Sequence, residues 1–137
     1  MDIRILQLID GAKEAVGLTV IIDVFRAFSL ECYLYNKGVE CIIPIGNIKN
    51  AYKLKEDNKD RILVGERNGK KCADFNYGNS PSQFKEVSLK GKTIIHTTSA
   101  GTQGIANAIN SDEIITGSLI NAKAIAEYIK REHPKIV

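Results

Sequence analysis

No two cysteines in this chain are spaced as a CxxC pair. The three present, Cys32, Cys41 and Cys72, are odd in number, which argues against a disulfide framework and against a zinc ribbon. No run of lysine or arginine exceeds two residues, and the formal net charge is only +3. That is too little charge, too widely scattered, for a nucleic-acid footprint, so no nucleic acid is expected as a partner. Long apolar runs are missing too. The longest are strand-sized, short of the roughly 20 residues a membrane helix needs, so no membrane partner is expected. Met1–Leu8 interrupts its apolar residues with Asp2 and Arg4 and has no signal-peptide core, which makes the cytoplasm the expected location.

Several phosphate-handling signatures are also absent. A cysteine phosphatase needs an arginine six residues after its cysteine, and here those positions are Gly38, Asn47 and Gly78. Asp23 is followed by Val24 and Phe25, so there is no D-x-D after a strand. Gly91-Lys92-Thr93 imitates the end of a P-loop, but Glu86 stands where the first glycine belongs and a strand follows. Gly69-Lys70 fails likewise at Val64, and no G-x-G-x-x-G fingerprint occurs.

What is present reads as one ordinary globular domain: 137 residues, 44% hydrophobic and 26% charged. Short β-branched runs alternate with helical spacing. Strands are expected at Ile3–Leu8, Leu18–Val24, Val39–Ile45, Arg61–Val64, Thr93–His96 and Glu113–Thr116, with the beginning of another at Lys135–Val137. Helices are expected at Arg26–Lys37, with Gly38 as the stop, and at Ile48 to about Asn58, Ala100–Asn110 and Asn121–Glu132. Glu66 to Asn79 reads as a loop. Ser80-Pro81-Ser82-Gln83 reads as a capping box opening a short helix. The alternation implies a layered α/β/α fold around a mostly parallel sheet. A final parallel strand without a covering helix predicts an open edge, and with it self-association through that edge.

Ligands in such folds sit at the carboxyl ends of strands, and the unusual polar residues gather there. Asp23 and Arg26 follow one strand, Glu66 and Arg67 the next, and Asn79 and Ser80 close the long loop. Thr97, Thr98, Ser99, Gly101 and Thr102 follow the TIIH strand, and Ser118 and Asn121 follow Glu113–Thr116. The turn TTSAGTQG offers hydroxyls and a glycine where a strand hands over to a helix, a setting that suits phosphate or, more plainly, helix capping by Thr98 or Ser99. Asp23 and Glu66 are hard oxygen donors suited to Mg²⁺, or else partners of Arg26 and Arg67. The arginines themselves could fork onto phosphate or sulfonate. Cys32 and Cys41 read as core residues. Cys72 beside Lys71 reads as a loop thiol whose pKa a cationic neighbour could lower. His96 reads as structural or catalytic. Asp23, Glu66, Asn79, Thr98 and Ser118 are expected to line one cleft.

Taken in order, the segments IIDVFRA, VGERNG, FNYGNSP, TTSAGTQG and GSLIN resemble the 2-phosphosulfolactate phosphatase family over about Leu18 to Asn121. The resemblance implies an α/β layered fold and Mg²⁺-dependent removal of phosphate from 2-phospho-3-sulfolactate, a reaction serving coenzyme M synthesis in methanogens. It implies the same residues as the strand-end argument. Asp23, Arg26, Glu66 and Arg67 would be catalytic, with Asp23 and Glu66 on the metal. Asn79, Ser80, Thr97, Thr98, Gly101, Thr102, Ser118 and Asn121 would hold the substrate, a small phosphorylated anion; the strand-end argument adds Ser99 to them. Two departures stand out. The family commonly has Thr-Asn where this chain has Ser99-Ala100. It also continues into a C-terminal part with an acidic Glu-Asp…Ala-Gly motif, so residues 1–137 are expected to form a single phosphatase-like domain without that part. A non-catalytic anion-binding or assembly module is the alternative expectation.

Overall fold

A computed structural model describes residues 1–137. Six strands and five α-helices follow one another along the chain: α1 (Leu8–Glu14), β1 (Gly17–Ile22), α2 (Ala27–Asn36), β2 (Cys41–Pro44), α3 (Ile48–Asp57), β3 (Ile62–Arg67), β4 (Lys70–Lys71), β5 (Thr93–Thr97), α4 (Gly101–Asn107), β6 (Ser111–Gly117) and α5 (Ala122–Glu132). A 3-10 turn spans Pro81–Phe84. The pairing is parallel except for β4, which folds back antiparallel on β3. The expected α/β architecture is therefore present, with its ladder in two parts. One orders β2-β5-β3-β4 and the other pairs β1 with β6.

β5 is the central strand. Ile94, Ile95, His96 and Thr97 are all buried, as a strand covered on both faces requires, and the sequence accordingly reads as a continuous run instead of an alternation. One face packs on α2 through Leu30, Leu34, Val39, Ile42, Val64, Phe84, Leu89 and Ile94. The other packs on α3 through Ala51, Leu63, Cys72, Phe75 and Ile95. Each fully buried leucine or phenylalanine contributes about 1.5–3 kcal/mol. α2 presents Ala27, Leu30, Glu31 and Leu34 inward at helical spacing. It stops at Gly38, whose φ of +86° favours glycine, while the Val39 amide bonds back to the Leu34 carbonyl.

Three local expectations are corrected. Ile3–Leu8 is not a strand. Its partner, Lys135–Val137, bonds only Asp2 and Arg4, and beyond Arg4 the chain turns into α1, a helix absent from the sequence reading. Lys135–Val137 itself is not left open. It pairs with Asp2–Arg4 on one side, and the Leu18 amide donates to the Ile136 carbonyl on the other. Finally, Ser80 does not cap the 3-10 turn. Its hydroxyl pairs with that of Ser82, and the side-chain Oε1 of Gln83 accepts from the Gly78 amide, two residues before the anticipated position.

The cysteines also differ from expectation. Cys41 is exposed and Cys32 only partly buried. Cys72 is buried among core residues, and that burial pushes its thiol pKa up, overriding the pull of the nearby Arg67 guanidinium.

Candidate functional site

The carboxyl ends of β1, β3 and β5 open onto a cleft of roughly 390 Å³, lined by Asp23, Phe25, Arg26, Glu66, Gly69, Lys71, Gly78, Asn79, Ser80, Gln83, Ser99 and Ala100. The long loop reaches it by running along β3. Tyr77 pairs in parallel with Val64, and its amide donates to the Leu63 carbonyl. The Asn76 side-chain oxygen accepts from the Leu63 amide. Gly78, Asn79 and Ser80 are thereby carried to the same end of the sheet as Glu66.

Asp23 leaves β1 with its amide bonded to the Gly117 carbonyl. Its Oδ1 accepts from the Ala27 amide, the first of α2. Its Oδ2 accepts no hydrogen bond from the protein and lies beside Gly101, where an added Cβ would sit 2.9 Å from it. Gly101 is thus required for the approach of α4 to Asp23 and α2, and it does not itself line the cleft. Arg26 is exposed at the cleft wall and makes no ion pair or side-chain hydrogen bond. Neither Asp23–Arg26 nor Glu66–Arg67 forms a salt bridge.

Glu66 is heavily engaged. Its Oε1 accepts from the Ser99 amide at 2.6 Å, and its Oε2 accepts from the Gly69 amide at 2.7 Å and the Ser99 hydroxyl at 3.0 Å. The Ser99 Oγ in turn accepts from the Asn68 amide. Burial pushes the Glu66 pKa up, but the Ser99 and Gly69 donors and the Arg67 charge outweigh it, so the carboxyl is held below its ordinary value. A carboxylate with a depressed folded-state pKa contributes stability that is complete above its unfolded value, near 4.5, and is lost as pH falls through the lower folded value. Glu66→Gln is therefore expected to destabilise the protein at pH 7, with the deficit against the native chain shrinking as pH falls below about 4.5. Urea unfolding midpoints across that range check it; a deficit independent of pH would contradict it.

The remaining sequence-predicted residues lie outside the cleft. The Arg67 guanidinium donates to the Glu66 and Gly46 carbonyls and to the Thr97 hydroxyl, tying β3 to β5 and to the β2–α3 connection. Thr98 and Thr102 satisfy one another: the Thr98 Oγ1 accepts from the Thr102 amide at 3.1 Å, and the Thr102 Oγ1 accepts from the Thr98 amide at 2.8 Å. Their hydroxyls are buried and engaged with each other across the turn into α4, whose N-cap is Ala100 without a side-chain cap. Ser118 and Asn121 close on each other, with the Asn121 Oδ1 accepting from the Ser118 amide and its Nδ2 donating to the Thr116 carbonyl. Asn121 borders a separate apolar groove with Ile42, Ile115 and Tyr128. Of the five residues expected in one cleft, Asp23, Glu66 and Asn79 meet there, and Thr98 and Ser118 do not.

Lys71, Gln83 and Phe25 line the cleft without having been singled out as site residues in the sequence. The signal for Lys71 was legible. Asn68 and Gly69 both take positive φ, at 52° and 75°, and join Arg67 to Lys70 in a tight hairpin. Asn-Gly is the strongest short-range sign of that turn. The hairpin carries Lys71, whose Nζ donates to the Phe75 carbonyl.

No helix is long and apolar enough to cross a membrane. The family model described as 2-phosphosulpholactate phosphatase matches residues 4–137. Among curated proteins, a "Probable 2-phosphosulfolactate phosphatase" of Clostridium tetani is 41% identical over 131 residues, covering 93% of this chain and 56% of that protein. Proteins with the same description from Clostridium acetobutylicum and Thermotoga maritima are each 40% identical over 111 residues, covering 80% and 81% of this chain and 47% and 48% of theirs. The chain spans about half the length of the curated relatives it matches. On the extent of the family match and these identities, the chain belongs to the 2-phosphosulpholactate phosphatase family.

Proposed function

We propose that the cleft binds the phosphoryl group of a small anionic phosphomonoester and supports its hydrolysis, with 2-phosphosulfolactate, named in its relatives, as the leading substrate. The observation that carries this reading is the convergence of Asp23, Arg26, Lys71 and Asn79 on one open cleft at the strand ends. A sulfolactate phosphate bears three anionic groups. Arg26 supplies a fork for phosphoryl or sulfonate oxygens, and Lys71 a movable point charge. Asn79, Ser80 and Gln83 supply neutral donors. α4 has only seven residues, and the hydroxyls of Thr98 and Thr102 are spent on each other's amides, so the weight of anion binding falls on the cleft side chains.

Magnesium belongs to the same proposal. Mg²⁺ is commonly held by one or two carboxylates and keeps several waters. The free Oδ2 of Asp23 fits that role. Glu66 fits it less well, because both of its oxygens already accept protein donors. When bound, the ion would neutralise charge on the phosphoryl oxygens. The protein's own part is to hold the ester against Arg26 and to orient an attacking water within reach of the phosphorus.

Phosphate release from a panel of monoesters, with Mg²⁺ and with a chelator, tests the reading. Metal-dependent release that is fastest for the sulfonated ester is expected. Asp23→Asn should then raise the Mg²⁺ concentration needed for half-maximal rate by about tenfold or more, since it replaces an anionic ligand by a neutral one of the same shape. Tight anion binding without turnover on any ester would instead assign the chain to the non-catalytic alternative.

A further inference from the structure

β5 places an imidazole ring among isoleucines. His96 is completely buried, and a polar ring there needs partners for both nitrogens. Its Nδ1 lies 2.8 Å from Oε1 of Glu31 on α2, and its Nε2 lies 3.0 Å from Oδ1 of Asn79. Glu31 and Asn79 are themselves 5% and 9% exposed. Of the three, only Asn79 lines the cleft.

Both partners present oxygen to the ring. An amide oxygen only accepts, so the contact with Asn79 is satisfied when Nε2 carries a proton, while Glu31 engages Nδ1 on the other side. With Oδ1 of Asn79 held by the ring, its Nδ2 faces the other way. That nitrogen donates to no acceptor in the protein, yet no buried side-chain atom is left unpaired, so it reaches solvent in the cleft as a free donor. A bare Nε2 would demand the opposite amide orientation and would turn an oxygen toward an incoming anion. Stability alone does not call for this arrangement, because a buried polar pair, charged or not, is often no more stabilising than apolar residues of similar volume.

We propose that Glu31 and His96 are positioning residues that hold the Asn79 amide with its nitrogen toward the cleft, making Asn79 a donor to a phosphoryl oxygen. This rests on the phosphate-cleft reading above. The dyad acts only through Asn79 and touches no substrate.

Orthophosphate titration followed by NMR tests it on the native chain, on Asn79→Ala, on the apolar pair Glu31→Met with His96→Phe, and on all three substitutions together. Asn79→Ala is expected to weaken phosphate binding about tenfold, the worth of one hydrogen bond to a charged group. The apolar pair should weaken it to a similar degree while the thermal midpoint is retained. The triple variant should bind no more weakly than Asn79→Ala alone, because residues acting through one partner are not additive. Additive losses, or native affinity in the apolar pair, overturn the proposal. Should the apolar pair not fold, the ¹⁵N shifts of His96 in the native chain decide the matter: a protonated Nε2 is expected, and a bare Nε2 overturns it. Arg26→Ala separates the two levels of argument. If it abolishes binding while the triple variant is additive, the cleft stands and only the positioning role falls. If the folded native chain binds no phosphate, the cleft reading falls with it.

Discussion

Arg26→Ala is expected to lower kcat/KM for phosphomonoester hydrolysis by about 10²–10³-fold, the effect of removing one preorganised donor from a transferring group. Arg26 stands at the cleft wall with no ion pair and no hydrogen bond to spend its guanidinium on. It is the one arginine lining the cleft, and on the proposed reading its guanidinium meets the phosphoryl group. Arg26→Lys should recover only part of the loss, since a point charge cannot reproduce a planar fork. Arg67→Ala provides the contrast. Its guanidinium is bonded to two carbonyls and a threonine hydroxyl away from the cleft, so its loss should lower the thermal midpoint and leave KM near the native value. Steady-state kinetics and thermal unfolding of the three variants check the assignment. Equal losses of kcat/KM in Arg26→Ala and Arg67→Ala would contradict it.

The difference between these two arginines was not legible in the sequence. Both follow a strand, and both sit beside a carboxylate three residues or one residue away. What separates them is direction. Arg67 is the last residue of β3, and its side chain reaches back across the end of β5 to Thr97 and Gly46, whereas Arg26 stands at the start of α2 facing open space. The same limit applied to the threonines. A hydroxyl at a strand-to-helix turn serves a helix cap or a phosphate equally well, and only packing reveals that those of Thr98 and Thr102 face each other. Lys71 and Gln83 were missed for another reason. Lys71 arrives on the Asn68-Gly69 hairpin, whose turn signal was present but passed over within a stretch read as loop, and Gln83 arrives through the pairing of Tyr77 with Val64, which no turn signal marks. By contrast, β5 and α2 could be read directly. The TIIH run is apolar on both faces because both faces are covered, and Gly38 supplies the positive φ that ends α2. The N-terminus misled because Ile3–Leu8 has strand-like residues, but its only partner is the three-residue segment at Lys135–Val137.

Gly65→Ala is expected to destabilise the protein by about 4 kcal/mol or more, a large part of the roughly 5–15 kcal/mol that holds a typical domain together. Gly65 lies in β3 with φ of +150°. A Cβ built there would stand 1.9 Å from the Thr97 carbonyl oxygen and 2.9 Å from its carbonyl carbon. Both are backbone atoms, so no side-chain rotation relieves the clash. The β3–β5 ladder, which pairs Gly65 with Thr97, would have to part. That ladder also holds Glu66 against Ser99, so the cleft should be lost along with the fold. Urea unfolding followed by circular dichroism measures the effect; a midpoint within error of the native protein would show that the strands tolerate the separation.

On the proposed function, phosphate binds where β1, β3, β5 and the 78–83 loop meet. Amide NMR with orthophosphate, on the ¹⁵N-labelled native chain, tests it most directly. Shifts are expected to concentrate at Asp23–Arg26, Glu66, Gly69–Lys71, Gly78–Gln83 and Ser99–Ala100, with Thr116–Asn121 unmoved. Shifts centred instead on Ile42, Ile115 and Asn121, around the second groove, would contradict the account.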